Sequence, residues 1–98
     1  GDINFQSISS NVNNNCWLFT FRTNKMRGLL KYLNDNGIES RPLWMPMNQL
    51  QMFKNCIYSN KSDTSGSLYE TCISIPCSAG ILIEQMELVY NQINNFYK

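Results

Sequence analysis

Polar and Asn/Ser-rich residues dominate the first fifteen positions, where only Ile3, Phe5, Ile8 and Val12 are apolar. Residues 1–15 therefore read as an irregular lead-in. The character changes at Cys16. Cys16-Trp17-Leu18-Phe19-Thr20-Phe21-Arg22 is aromatic and apolar, which predicts a strand. Alternation sets Trp17, Phe19 and Phe21 on one face and Cys16, Leu18 and Thr20 on the other. Neither face is clearly polar, so cover on both sides is expected.

Thr23 or Asn24 can cap the next element, and Met26, Leu29, Leu30 and Leu33 then recur at helical spacing. Asn36-Gly37-Ile38 ends that helix: Gly supplies a left-handed residue, and Ile38 can fold back on the last turn. Residues 38–44 are expected to be extended, with Pro42 holding Arg41 out of the helical region. A loop from Trp44 to Phe53 follows, then a polar, exposed connection through Asn55–Gly66 and a short helix over Ser67–Thr71. Cys72-Ile73-Ser74-Ile75 alternates as a strand that Pro76 stops. Ile83–Tyr97 is helical, with Met86, Val89, Tyr90, Ile93, Phe96 and Tyr97 on one side. Its entry lacks a strong capping residue.

A helical crossover joins the first two predicted strands and is right-handed by rule. The third can fill the gap between them, antiparallel to both. The expectation is an α+β, two-layer domain: a three-stranded, mostly antiparallel sheet, in order first-third-second, with the two main helices on one face.

Composition narrows the function. A net charge of +1 leaves no electrostatic footprint for nucleic acid. No apolar run approaches the 18 or so residues of a membrane span, and no secretory leader opens the chain. The four cysteines form no C-x-x-C pair and there is no His, so reduced thiols in the cytoplasm are expected, with no metal site. Glu84 and Glu87 could share a metal on the last helix, but a solvated face explains them better. Trp17, Phe19 and Phe21 could offer an RNA-stacking platform, yet no basic residue and Gly precede them, and core packing accounts for them better. Without His the usual proton carrier at neutral pH is missing, and no complete catalytic set is present.

The loop is the exception. Trp44, Met45, Met47, Leu50, Met52 and Phe53 exceed what a loop needs to anchor itself, and Arg41, Asn48 and Gln49 stand among them. Apolar walls with a few directional polar groups build ligand clefts between domains. A cleft or interface is one reading; a loop folded over its own core is the other.

Four pieces in order carry a family resemblance: Trp17-Leu18-Phe19; Leu33-Asn34-Asp35-Asn36-Gly37-Ile38-Glu39-Ser40-Arg41-Pro42; Pro46-Met47; and Ser74-Ile75-Pro76-Cys77. From about Trp17 to Tyr97 the chain resembles the C-terminal domain of the DegT/DnrJ/EryC1/StrS family, pyridoxal-phosphate-dependent aminotransferases of nucleotide-linked keto sugars. Two departures stand out. Asn48 replaces the His that many members carry after Pro-Met, a variant similar to the branch serving legionaminic-type sugars. Leu82 stands near the usual capping Thr or Ser.

The resemblance implies that residues 16–98 are the small domain of a larger enzyme and that residues 1–15 lead in from its large domain. The lysine that binds pyridoxal 5'-phosphate would lie in that large domain, and this chain alone would bind no cofactor and catalyse nothing. A homodimer, a 4-keto nucleotide sugar as substrate and glutamate as amino donor are implied, in amino-sugar and polysaccharide biosynthesis. Arg41, Trp44, Met47, Asn48 and Gln49 are the expected substrate-side residues. The alternative from another class is a stand-alone ligand- or RNA-binding α+β module.

Overall fold

The computed structural model describes all 98 residues, Gly1–Lys98. Its elements are β1 (Asn4–Phe5), β2 (Phe19–Arg22), α1 (Met26–Asp35), β3 (Arg41–Pro42), two 3-10 turns (Met47–Gln49 and Gln51–Phe53), α2 (Thr64–Thr71), β4 (Cys72–Ile75) and α3 (Ile83–Tyr97). The sheet has four strands in the order β1-β2-β4-β3, and every neighbouring pair is antiparallel.

This corrects the expected three-stranded sheet. The three expected strands keep their relative order, and the lead-in supplies the fourth at the edge. Asn4 pairs with Arg22 and Phe5 with Phe21, and the Phe5 ring meets Phe19 edge-on at 5.8 Å. Ile3 and Phe5 alternate with polar neighbours, a two-residue signal too short to stand out in a polar segment.

The strand expected from Cys16 begins only at Phe19. The preceding asparagines are the cause. The Asn14 side-chain oxygen accepts from the Cys16 amide (2.9 Å) and that of Asn15 from the Trp17 amide (3.2 Å). These local bonds compete with ladder pairing and leave Cys16 in the left-handed region, φ 52°. Cys16 is consequently exposed, whereas Cys72, inside β4, is buried; all four thiols are free.

Met26, Leu29 and Leu33 of α1 are fully buried against Phe21, Ile38, Ile73 and Val89, which form the core. Phe21 lies opposite Ile73 in the sheet, so α1 and α3 cover the same face. Tyr32 fastens the two helices by donating to the Gln92 side chain (2.8 Å). Neither Thr23 nor Asn24 is the residue that caps α1: Lys25 occupies that position, and the Thr23 hydroxyl accepts from the Lys25 amide (3.1 Å) just before the helix. The far end closes as the sequence predicts. Gly37 has φ 76°, its amide bonds the Asn34 carbonyl (3.1 Å), and the Ile38 amide reaches back to Leu33 (2.9 Å).

α3 spans the expected residues. Leu82 has no side-chain acceptor to offer at its start, but Gln85 reaches back and accepts from the Leu82 amide (2.9 Å). Four of the six residues of the expected stripe are covered: Val89 is buried and Ile93, Phe96 and Tyr97 pack on the core, while Met86 and Tyr90 are exposed. The second helix begins at Thr64 rather than Ser67. Its first turn follows Asp63, held at φ 47°, whose amide donates to the Asn60 side chain (3.0 Å). No helix is long and apolar enough to cross a membrane.

Candidate functional site

The run from Leu33 to Pro42 is a mounting for the loop that follows it. Asn34, near the end of α1, donates through its amide to the Leu30 carbonyl (2.9 Å) and the Ser40 carbonyl (3.1 Å). The same side chain accepts from the Ser40 amide (3.1 Å). One amide thus mimics a strand neighbour for buried Ser40 and aims the chain into β3. Arg41 then pairs with Ser74 and Pro42 with Ile73; Pro42 is acceptable because β3 is an edge strand. Asn34, Gly37 and Ser40 of this motif act through backbone hydrogen bonds, while Leu33 and Ile38 pack in the core and Glu39 pairs with Arg41.

Beyond Pro42 the loop does not bury its large side chains. Trp44, Met45, Met47 and Met52 are exposed, Leu50 and Phe53 are half-buried, and only Pro46 is buried. Of the two readings open to the sequence, folding over its own core is thereby disfavoured. Each large apolar side chain left in water forgoes about 1.5–3 kcal/mol of burial.

The five expected site residues do not converge. Met47 and Asn48 lie together at the edge of a cavity of about 330 Å³, with Phe53, Cys56, Tyr58 and Ser65 as other walls. Arg41 is outside it, exposed and paired with Glu39 at 2.5 Å. That hydrogen bond, and then the charge of Glu39, hold the guanidinium pKa above its ordinary value. Trp44 stacks on Trp17, ring centroids 6.0 Å apart and 31° between planes, and both rings are exposed. Gln49 is exposed at the end of the first 3-10 turn.

Tyr58 and its partner Asp63 were missed because the Asn55–Gly66 segment reads as a polar connection. Ile57 and Tyr58, two large apolar residues isolated within it, were the available signal. The Tyr58 hydroxyl donates to Asp63 (3.1 Å), and partial desolvation followed by that bond raises the phenol above its usual pKa. The cavity can therefore offer an amide, hydroxyls and a thiol between apolar walls. It holds no charged side chain and no candidate base.

Pyridoxal phosphate requires an amine for its carbonyl, an acid at its ring nitrogen and donors for its phosphate. The lysines do not fit that set. Lys25 lies over the Tyr97 ring at 5.2 Å, Lys31 is paired with Asp35, and no lysine lines the loop cavity or the large apolar groove beside α3. No three His, Cys, Asp or Glu residues are grouped to hold a metal ion.

Comparison with known proteins identifies the family. The family model described as the DegT/DnrJ/EryC1/StrS aminotransferase family matches residues 2–94. GDP-perosamine synthase of Vibrio cholerae is 30% identical over 70 residues, covering 71% of this chain and 19% of that protein. Among solved structures, Helicobacter pylori PseC, an aminotransferase involved in the biosynthesis of pseudoaminic acid, has a similar fold. The TM-score is 0.69 at 18% identity, over 80% of this chain and 22% of PseC. The chain thus spans about one fifth of the length of either protein. With residues 2–94, nearly the whole of this chain, matched by the family model, the chain belongs to the DegT/DnrJ/EryC1/StrS aminotransferase family.

Proposed function

We propose that this chain is the C-terminal small domain of a pyridoxal-phosphate-dependent enzyme that transfers an amino group, from glutamate, to a 4-keto nucleotide sugar. The observation that carries the reading is the Trp44–Phe53 loop. It is rigidly mounted by Asn34 and Pro42, yet its apolar side chains are turned away from the core that mounts it. Such a surface suits a cleft closed by another domain. The residues here supply no cofactor cradle, so the cofactor and the chemistry belong to the large domain, and residues 1–15 lead in from it. The parent enzyme is a cytoplasmic homodimer in amino-sugar and polysaccharide biosynthesis.

Within that reading Met47 and Asn48 face the sugar across the cavity, since Asn48 can both donate to and accept from a hydroxyl. Trp44, with Trp17 behind it, offers an aromatic wall. Arg41 and Gln49 stand at the outer rim, where binding substrate would require Arg41 to leave Glu39. Nothing in the structure favours the stand-alone RNA-binding alternative: Phe21 is buried under the helices, and Phe19 borders the groove beside α3.

The test is amino transfer by the full-length enzyme, wild type against Asn48→Ala. Losing one neutral hydrogen bond costs on the order of 0.5–1.5 kcal/mol, or more if its partner stays buried and unpaired. The expected fall in kcat/KM is about three- to thirtyfold with an unchanged melting temperature, at about 1.4 kcal/mol per decade. No transfer by the full-length enzyme overturns the reading. Unfolding by Asn48→Ala with full activity in the surviving folded fraction overturns the site.

A further inference from the structure

Tyr58 lines the loop cavity with Met47 and Asn48, on a stretch of chain that belongs to no helix or strand. The residue is 43% exposed, so packing alone leaves its ring several rotamers. Asp63 holds it. The carboxylate accepts from the Tyr58 hydroxyl (3.1 Å) and stands behind the cavity rather than in its wall. Two features fix the carboxylate in turn. The Asp63 backbone is left-handed, φ 47°, with its amide bonded to the Asn60 side chain (3.0 Å) and its carbonyl accepting from the Ser67 amide (3.0 Å) in the first turn of α2. The second is Gly66, which is buried in that turn next to the cavity-lining Ser65. A Cβ at position 66 would meet both carboxylate oxygens of Asp63, neither farther than 2.9 Å away. The carboxylate thus fills the space that any side chain at 66 would need.

We propose, on the reading of the chain as part of a sugar aminotransferase, that Tyr58 is a specificity-determining residue for the nucleotide sugar and that Asp63, given room by Gly66, is its positioning residue. The cavity walls carry no charge, which suits the sugar ring rather than the diphosphate. At about 330 Å³ the space is near the lower end for a ligand pocket, so a shift of one wall changes what fits. A ring held in place sets that limit; a ring free to swing does not. The bond to Asp63 also sets the polarity of the phenol. Its one proton is committed to the carboxylate, which leaves the oxygen as an acceptor for a substrate hydroxyl or N–H.

The test measures kcat/KM of the full-length enzyme separately for glutamate and for a nucleoside-diphosphate 4-keto-hexose. Gly66→Ala displaces the carboxylate without altering a cavity wall, and alanine is the better helix residue. Tyr58→Phe breaks the same bond from the other end. Each is expected to lower kcat/KM for the nucleotide sugar about three- to tenfold, with the value for glutamate unchanged. The double variant should fall no further, because both changes break one link. Asp63→Gly, which suits the left-handed backbone, should reproduce the loss, and it replaces Gly66→Ala in the cycle if that variant does not fold. Asp63→Asn keeps an acceptor and should retain most of the wild-type value. Additive losses in the double variant, equal losses for both substrates, or wild-type values in the single variants would each overturn the proposal. Transfer by the wild type that the variants leave intact defeats the role of Tyr58 alone. No transfer by the wild type overturns the aminotransferase reading and this proposal with it.

Discussion

Asn34 makes the most discriminating stability test, because one side chain joins α1 to β3. Asn34→Ala removes its two bonds to the Ser40 backbone and a third to the Leu30 carbonyl. The Leu30 carbonyl keeps its helical partner, so the loss concentrates on Ser40, which is 5% exposed. Orphaning such backbone groups costs about 1–3 kcal/mol, and a net bond about 0.5–1.5 kcal/mol. Alanine's better helix propensity returns up to about 0.7 kcal/mol. The expected net loss is about 1–2.5 kcal/mol, read as a lower urea midpoint at constant slope. Asn34→Asp sharpens the argument. It keeps the acceptor for the Ser40 amide but turns lone pairs toward two carbonyls, and it places negative charge near a helix C-terminus. At neutral pH it should be no more stable than Asn34→Ala. It should recover as pH falls through the carboxylate range, because the protonated acid can again donate. Variants within about 0.5 kcal/mol of wild type, the scatter of ordinary surface changes, would refute the bridging role. An Asp variant more stable than Ala at neutral pH would refute the donor assignment.

Three further outcomes are expected. Leu29→Ala should cost about 2–5 kcal/mol in denaturant unfolding, and Leu30→Ala clearly less, since Leu29 is fully buried and Leu30 only half-buried; equal losses would contradict the observed core. Gly28→Ala should stabilise by roughly 0.5–1 kcal/mol, because the new Cβ meets the Phe96 ring at 3.4 Å, in contact but without a clash; a lower melting temperature would show that Phe96 cannot accept it. The Thr23 hydroxyl, followed by the Asn24 amide, lowers the Asp2 pKa. Its contribution is therefore complete above the unfolded carboxylate value and is lost as pH falls through the lower folded value. Asp2→Asn should weaken the fold at neutral pH and flatten the acid limb of the stability curve; an unchanged acid limb would remove Asp2 from the account.

Local chemistry was legible in the sequence wherever an element carried its own signal. The stripe of Met26, Leu29 and Leu33, the Gly37–Ile38 stop, the alternation of β4 and the full extent of α3 depend on neighbours within a turn or two. The family resemblance was legible for the same reason, since its longest piece is a contiguous mounting built from Asn34, Gly37, Ile38, Ser40 and Pro42. Other features depended on groups distant in the chain. Phe5 becomes an edge strand only because Phe21 offers an unpaired neighbour, and Trp17 leaves the strand because Asn15 captures its amide first, as Asn14 captures that of Cys16. Convergence of side chains at a site was likewise beyond the sequence. Arg41, Trp44, Met47, Asn48 and Gln49 are neighbours along the chain, but a turn of backbone sends Arg41 to Glu39 and Trp44 to Trp17, leaving Met47 and Asn48 beside Tyr58. Hydrophobic period and turn chemistry are properties of a segment; which faces meet, and which apolar surfaces stay open, depend on how the segments fill space together.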